Sequence, residues 1–237
     1  MRRSLDIIIC VLAAPVLLVV GWILVACVFL DSPGPVLYRS RRVGRGGRTF
    51  SMLKFRTMRQ DAKGPSLSCF GDERYTPFGR VLALSRLDEL PQVINVLRGE
   101  MRLIGPRPEV PEFVEAYPDA YSEILTAPPG LTGPAQLRFS GEGRILARSE
   151  DRVALYRESI LPEKLSIDID YVRTVSLRRD IELLGWTLLL PLRLGGDAYR
   201  AWRVRLLVAR PAAATVVLLV ASVAVTCIYS LEAASAL

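Results

Sequence analysis

Two long apolar runs bracket a stretch in which apolar and polar positions alternate over short distances. The first, Ile7 to Leu30, is almost wholly apolar and, at about 24 residues, long enough to cross a bilayer as a helix. Pro15 interrupts it and removes a helical hydrogen bond, which favours a kink. Basic residues stand on both sides: Arg2 and Arg3 before it, then Arg39, Arg41, Arg42, Arg45 and Arg48 after it. The positive-inside rule puts both flanks in the cytoplasm. A bent helix that dips into one leaflet and returns reconciles the proline with the charges, and an ordinary spanning anchor is the simpler alternative. A cleaved signal peptide fits less well, because the run is long and no clear small-residue cleavage site follows it. The second run, Pro211 to Leu231, has no charge. Arg200, Arg203, Arg205 and Arg210 precede it and only Glu232 follows, which predicts a true span starting in the cytoplasm.

Between the runs, Val36 to Met58 reads as two strands around a glycine turn, Gly44 to Gly47, since glycine supplies the positive φ of a hairpin. Alternation puts Lys54 and Arg56 on one face of the second strand, opposite Leu53 and Phe55. Such a hairpin is either a solvated basic ribbon beside anionic lipid or a cationic wall for phosphates. Asp61 to Asp72 reads as a loop. Val81 to Leu90 is predicted to be helical, with Pro91 ending or kinking it beside its acids. Gly105-Pro106-Arg107-Pro108 fits neither helix nor strand, and the two prolines hold Arg107 extended. Pro111 to Leu125 reads as an acidic amphipathic helix broken at Pro118, and Pro128 to Pro134 as a rigid loop. Glu150 to Leu161 looks like a charged surface helix. Ile167 to Ser176 alternates and carries Asp168 and Asp170. Ile181 to Leu194 is a long apolar helix containing Trp186, for the core or a membrane surface.

Composition narrows the chemistry. The 237-residue chain contains no histidine, which excludes Ser-His-Asp and Cys-His catalysis and any histidine-held zinc. Its cysteines, at 10, 27, 69 and 227, have neither disulfide nor metal-knuckle spacing. The net charge of +7 suggests phosphate-bearing partners. Basic and aromatic residues are not interleaved, and no nucleic-acid-reading motif is present, so lipid head groups or nucleotide substrates fit better than nucleic acid.

The sharpest chemical signal is Leu87-Asp88-Glu89-Leu90-Pro91-Gln92. Two adjacent acids in apolar sequence are costly as anions unless a cation is near. On a regular helix they would point about 100° apart, so they suit different jobs. One carboxylate can hold a hard cation such as Mg²⁺ together with substrate phosphates. The other can attack phosphorus as a nucleophile. Arg107, with a fork that suits bidentate phosphate contact, is the natural charge partner. Taken alone, the pair also reads as two surface acids on a helix.

At these residues the chain resembles the bacterial sugar transferase family, the monotopic polyprenyl-phosphate phosphoglycosyl transferases. The resemblance covers roughly residues 2 to 190. It rests on Arg3 and Asp6 before a proline-broken helix, Lys54-Phe55-Arg56-Thr57-Met58, Leu87 to Gln92, Asn95 to Met101, Gly105 to Pro108 and Pro129-Gly130-Leu131-Thr132-Gly133. It implies a re-entrant membrane helix and a two-step reaction at the cytoplasmic face of a bacterial inner membrane. In that reaction Asp88 attacks the β-phosphate of a UDP-sugar, UMP leaves, and polyprenyl (undecaprenyl) phosphate then takes the phosphosugar from the aspartate, a step that begins glycoconjugate or exopolysaccharide synthesis. The resemblance also implies that Glu89, with Asp88, holds Mg²⁺, that Arg107 binds phosphate with Lys54 nearby, and that Asp168 supports the site. Arg56 and Arg86 join the expected phosphate contacts. The chain departs from the pattern at Ala83, where an arginine is usual and Arg86 stands closer in. It also departs at Ser40, where a glutamine is usual, at Pro134 in place of a tryptophan, and over Arg138 to Arg144, which is longer.

The expected architecture is therefore α+β and membrane-associated, mainly helical with a small β-hairpin. It comprises a re-entrant helix over 1–31, a cytoplasmic catalytic domain over 32–205 and a transmembrane helix over 211–231. Expected partners are a UDP-sugar, undecaprenyl phosphate and membrane lipid, with a homodimer open and no nucleic acid. A catalytically silent membrane protein that gathers UDP-sugars or lipid phosphates is the alternative from another class. No motif reads sugar stereochemistry.

Overall fold

The computed structural model describes residues 2–65 and 67–189. The expected span at 211–231, the basic stretch before it and the expected domain end at 205 lie outside the described residues. The chain divides into two compact units at Val175–Ser176.

The apolar N-terminal run forms helix α1, Arg2–Asp31, which continues through Pro15 without the expected break and is long and apolar enough to cross a membrane. Its two ends are fastened to the same domain and its middle is not. At the start, Arg3 donates to the carbonyls of Val96 and Leu97, and Asp6 pairs with Arg102 at 2.8 Å. At the end, Leu24 and Val28 are buried with Phe55 and Leu82, and Asp31 accepts from the Phe78 amide. Between them Leu12, Val16, Leu18, Val19 and Trp22 are exposed.

Strands β1 (Leu37–Val43) and β2 (Thr49–Phe55) form the expected antiparallel hairpin, with Leu37 opposite Phe55 and Val43 opposite Thr49. Gly46 and Gly47 take positive φ in its turn. Helix α2, Pro77–Ser85, starts on Thr76, whose hydroxyl accepts from the Gly79 amide, with proline at the position where a missing N–H costs nothing. Its end differs from the sequence expectation. The helix stops at Ser85, Arg86 turns left-handed (φ 60°, ψ 14°), and Leu87–Glu89 form a single 3₁₀ turn. The acids thus sit in an irregular connection rather than on a helix running to Leu90. Helix α3, Gln92–Arg98, follows and is closed by left-handed Gly99.

The segment after α3 holds a feature absent from the sequence reading, a short parallel pair of strands, β3 (Arg102–Ile104) and β4 (Gly130–Thr132). Part of the expected 128–134 loop is therefore strand. The two chains approach so closely at Gly105 and Gly130 that a Cβ on Gly130 would overlap the Gly105 backbone. This contact joins the Gly-Pro-Arg-Pro and Pro-Gly-Leu-Thr-Gly motifs.

Helices α4 (Pro111–Ala116) and α5 (Pro118–Ile124) break at Pro118 as expected. Helices α6 (Pro134–Arg138), α7 (Glu142–Leu146) and α8 (Arg152–Leu155) lead through a π turn, Tyr156–Ile160, into α9 (Leu161–Arg173). Two segments differ from the sequence expectation. The alternating stretch from Ile167 lies mostly in helix α9, where Leu161, Lys164, Leu165, Asp168 and Tyr171 are buried at helical spacing. Two charged members of that stripe hide its period. The supposed surface helix at 150–161 carries Tyr156, Ile160 and Leu161 in the main core beside Phe113, Tyr121, Ile124 and Leu165, and Tyr156 packs on Phe113 with ring centroids 4.9 Å apart. In the second unit, α10 spans Leu177–Leu189, beginning earlier than expected; the remainder of the expected helix, to Leu194, lies outside the described residues.

Candidate active site

The acid turn is held against the hairpin by one amide. Asn95, fully buried on α3, accepts from the Leu53 amide (3.0 Å) and donates to the Ser51 carbonyl (2.9 Å) and to Glu100 (2.6 Å). Its side chain pairs with the edge of β2 as a neighbouring strand would, because buried backbone groups must find partners. Lys54, next along that strand, therefore meets the turn that precedes α3.

Lys54 Nζ lies 3.0 Å from Glu89 Oε1 and 3.8 Å from Asp88 Oδ2. From the other side Arg107 grips Glu89 with both terminal nitrogens, at 2.6 and 3.3 Å. Burial disfavours both anions, but the outcomes differ. Glu89 is driven well below the ordinary carboxylate range, because Arg107 and Lys54 outweigh its burial. Asp88 is raised: burial dominates, Lys54 opposes it, and the neighbouring Glu89 charge adds to the rise. Arg107 is held charged, its burial overcome by Glu89. Arg86 contributes a positive field to both acids. It is also the one non-glycine residue with positive φ among the described residues, a strained conformation of the kind that accumulates at functional sites.

The loop bearing Arg107 is fixed at each backbone position around it. Gly105 donates to the Thr132 carbonyl, Pro106 accepts from the Gly130 amide, and Pro108 accepts from Arg42 at 3.3 Å. Two expected contributors lie elsewhere. Strand β2 ends at Phe55, and Arg56 turns to the Ser32 carbonyl at the exit of α1; its other two nitrogens are buried without a partner among the described residues. The shared face expected for Lys54 and Arg56 is therefore lost where the strand ends. Asp168 does not join the acid pair. It accepts from the Ala135 amide, and burial, opposed by Lys164 and reinforced by Glu109, pushes its carboxyl up to about 7.

The sequence reading missed a buried polar cluster behind the Arg107 loop. Glu109 pairs with Arg42 (3.1 Å) and accepts from the Tyr156 hydroxyl (2.5 Å). Lys164 donates to that same hydroxyl (3.0 Å) and to Glu142 (3.0 Å). Glu109 follows Pro108 directly, the one local signal; its partners are up to 67 positions away.

Asp88 and Glu89 are the adjacent hard-oxygen donors here, and no group of three or more metal-binding side chains exists among the described residues. That donor set suits Mg²⁺, which binds through one or two carboxylates and completes its shell with phosphates and water. The Oε2 atom of Glu89, with one contact at 3.3 Å, is its less engaged oxygen. A buried, cation-flanked carboxylate pair of this kind can bind a phosphate ester and direct one oxygen at phosphorus.

Comparison with known proteins identifies the family. A family model described as bacterial sugar transferase matches residues 1–193. A UDP-glucose:undecaprenyl-phosphate glucose-1-phosphate transferase of Caulobacter vibrioides is 38% identical over 77% of this chain and 66% of its own length. A protein of the same name from Xanthomonas campestris pv. campestris is 40% identical over 65% of this chain, matching 31% of its own length. The exopolysaccharide production protein ExoY of Sinorhizobium fredii is 33% identical over 77% of this chain and 81% of its own length. The chain thus spans from about a third to about two thirds of the first two relatives. It belongs to the bacterial sugar transferase family.

Proposed function

We propose that this protein transfers a phosphosugar from a UDP-sugar to undecaprenyl phosphate through a covalent intermediate on Asp88. The observation that carries the reading is the Asp88–Glu89 turn set between Lys54 and Arg107. An Asp88 carboxylate oxygen attacks the β-phosphorus. The bond from that phosphorus to the bridging oxygen breaks, and UMP departs with the bond's electron pair. A phosphate oxygen of the lipid then attacks the same phosphorus, freeing the Asp88 carboxylate and giving the polyprenyl-diphosphate-linked sugar. Arg107 and Lys54 offset the charge that builds on the transferring group. Glu89, with Asp88, would hold Mg²⁺, which supplies further charge neutralisation. The Lys54 charge also opposes the upward pull of burial on Asp88, favouring the ionised nucleophile.

The membrane reading is supported by α1. Both of its ends grip one domain while its apolar middle is exposed, as expected of a helix that dips into a leaflet and returns. Val81, Leu84, Leu87, Ile94 and Leu97, on α2, the acid turn and α3, are exposed too. An apolar surface beside Asp88 suits a reaction with one water-soluble and one lipid substrate. Exopolysaccharide or glycoconjugate initiation at the cytoplasmic face of the inner membrane is the corresponding physiological role.

The test is UMP release by purified protein supplied with Mg²⁺, undecaprenyl phosphate and a panel of UDP-sugars. Release lost in Asp88→Asn, with labelled phosphosugar retained on denatured wild type after donor alone, supports the covalent route. Absence of UMP across the panel sinks the reading and leaves a silent binding protein.

A further inference from the structure

Lys54 and Arg107 engage the acid pair directly, but the chain Glu142–Lys164–Tyr156–Glu109–Arg42 does not. Its members come from α7, α9, the π turn, the segment after Pro108 and β1, and they converge behind the Arg107 loop. Tyr156 and Lys164 are almost fully buried, as is Glu109. Burying three polar groups together is costly unless each is paired, and here each is. Tyr156 donates to Glu109 (2.5 Å) while accepting from Lys164 (3.0 Å), and the Lys164 ammonium also lies over the Tyr156 ring, 4.8 Å from its centroid. Glu109 passes the constraint to the loop in two ways. Its carboxylate holds Arg42, whose guanidinium also donates to the Pro108 carbonyl. Its own carbonyl accepts from the Val43 amide of β1 at 2.9 Å.

We infer that Tyr156 and Glu109 are positioning residues for the reaction: through Arg42 and the Pro108 carbonyl they fix the loop that presents Arg107 to Glu89 and to the donor phosphate. Neither touches the acid pair. The inference deepens the proposed function and rests on it for the identity of the donor. The relay extends through Lys164 to Glu142, in the Arg138–Arg144 segment, so α7 is tied to the presentation of Arg107. The preorganisation has a physical rationale, because a guanidinium held in place loses less entropy when it meets a phosphate.

The test is Tyr156→Phe, which removes one hydroxyl and keeps the ring on Phe113. Amide exchange over 105–110 should rise in this variant, while exchange in α2 and α3 stays at the wild-type rate. With UDP-sugar and lipid acceptor, kcat/KM for UMP release should fall about tenfold, equivalent to about 1.4 kcal/mol. The same substitution in an Arg107→Lys background should then cost less than twofold, because the residue through which it acts is already altered. A purely structural role gives equal losses in both backgrounds and overturns the inference. Unchanged exchange over 105–110 also overturns it, and that measurement stands whether or not wild-type turnover is detected. Wild-type inactivity with every donor would instead count against the proposed function.

Discussion

Arg107 donates to Glu89 through both of its terminal nitrogens, at 2.6 and 3.3 Å, across 18 residues of sequence. The fork shares its carboxylate with Lys54, so one anion binds two cations. The pairing keeps Glu89 ionised in a buried setting and leaves Asp88 as the less tightly held acid. Replacing Arg107 with lysine keeps a charge and loses the bidentate geometry. We expect kcat/KM for UMP release to fall about 30-fold, close to 2 kcal/mol of transition-state stabilisation. Arg107→Lys at wild-type efficiency would refute a role for the fork.

Arg86 carries the strained turn that ends α2. Glycine adopts this left-handed conformation without the Cβ penalty, so Arg86→Gly should gain about 1 kcal/mol of stability. Its positive field on the acids is lost at the same time, and UMP release should weaken. Denaturation midpoint and donor KM, measured on one preparation, separate the two effects. A variant less stable than wild type would count against strain at this position.

Asp168 supplies a pH dependence with a defined sign. Its carboxyl rises from an ordinary 3.8 to about 7 in the folded chain, so folding takes up a proton between those values. Stability therefore falls as pH rises from about 4 to 7, and above 7 the full cost applies, at most about 4 kcal/mol. Glu89 and Glu109, both lowered, act oppositely. Their stabilisation is present above the ordinary value of 4.5 and is lost as pH falls through their folded values. Asp168→Asn removes the first effect alone. Its stability advantage over wild type in denaturant titrations should grow from pH 4.5 to pH 8; a constant difference would overturn the assignment.

Gly130 sets the spacing of the two short parallel strands. A methyl group there meets the Gly105 backbone and cannot be absorbed by a side-chain rotation, so Gly130→Ala should destabilise the first unit by about 2 kcal/mol or more. The loop carrying Arg107 moves with Gly105, and UMP release should fall beyond what the unfolded fraction explains. Normal stability in Gly130→Ala would show that the strands can separate freely.

The proposed dip of α1 into one leaflet makes a topological prediction. In a background lacking the native cysteines, Ser4→Cys and Arg41→Cys, both at exposed positions, should be labelled by a membrane-impermeant maleimide from the same side of sealed vesicles. Labelling from opposite sides would establish a simple span.

Much was legible in the sequence because it is local. The apolar run that becomes α1, the glycine hairpin, the break at Pro118 and the extended Pro-Arg-Pro loop follow from hydrophobic periodicity and from the fixed backbone preferences of proline and glycine. Asp88, Glu89 and Arg107 could be nominated because charges in apolar sequence need partners, and Lys54 from strand alternation and the family resemblance. Their pairing could not be read there, since Lys54 and Glu89 are 35 positions apart. It depends on the Asn95 amide that fastens α3 to β2 and on the helix ending at Arg86.

The remainder was decided by tertiary contact. Arg56, equivalent to Lys54 by strand alternation, leaves the site because β2 stops one residue before it. Asp168, an expected supporter of the acids, belongs with the Lys164 and Ala135 side of the core. Helix α9 looked like an alternating segment because Lys164 and Asp168 occupy its buried stripe, and a charge is tolerated there only once Glu109, Tyr156 and Glu142 have come together around it. Local sequence settles which residues carry charge and some of the turns and breaks, such as those at Gly46 and Pro118. The folded structure decided which charges meet, because burial raises the cost of an isolated ion and only distant neighbours can offset it.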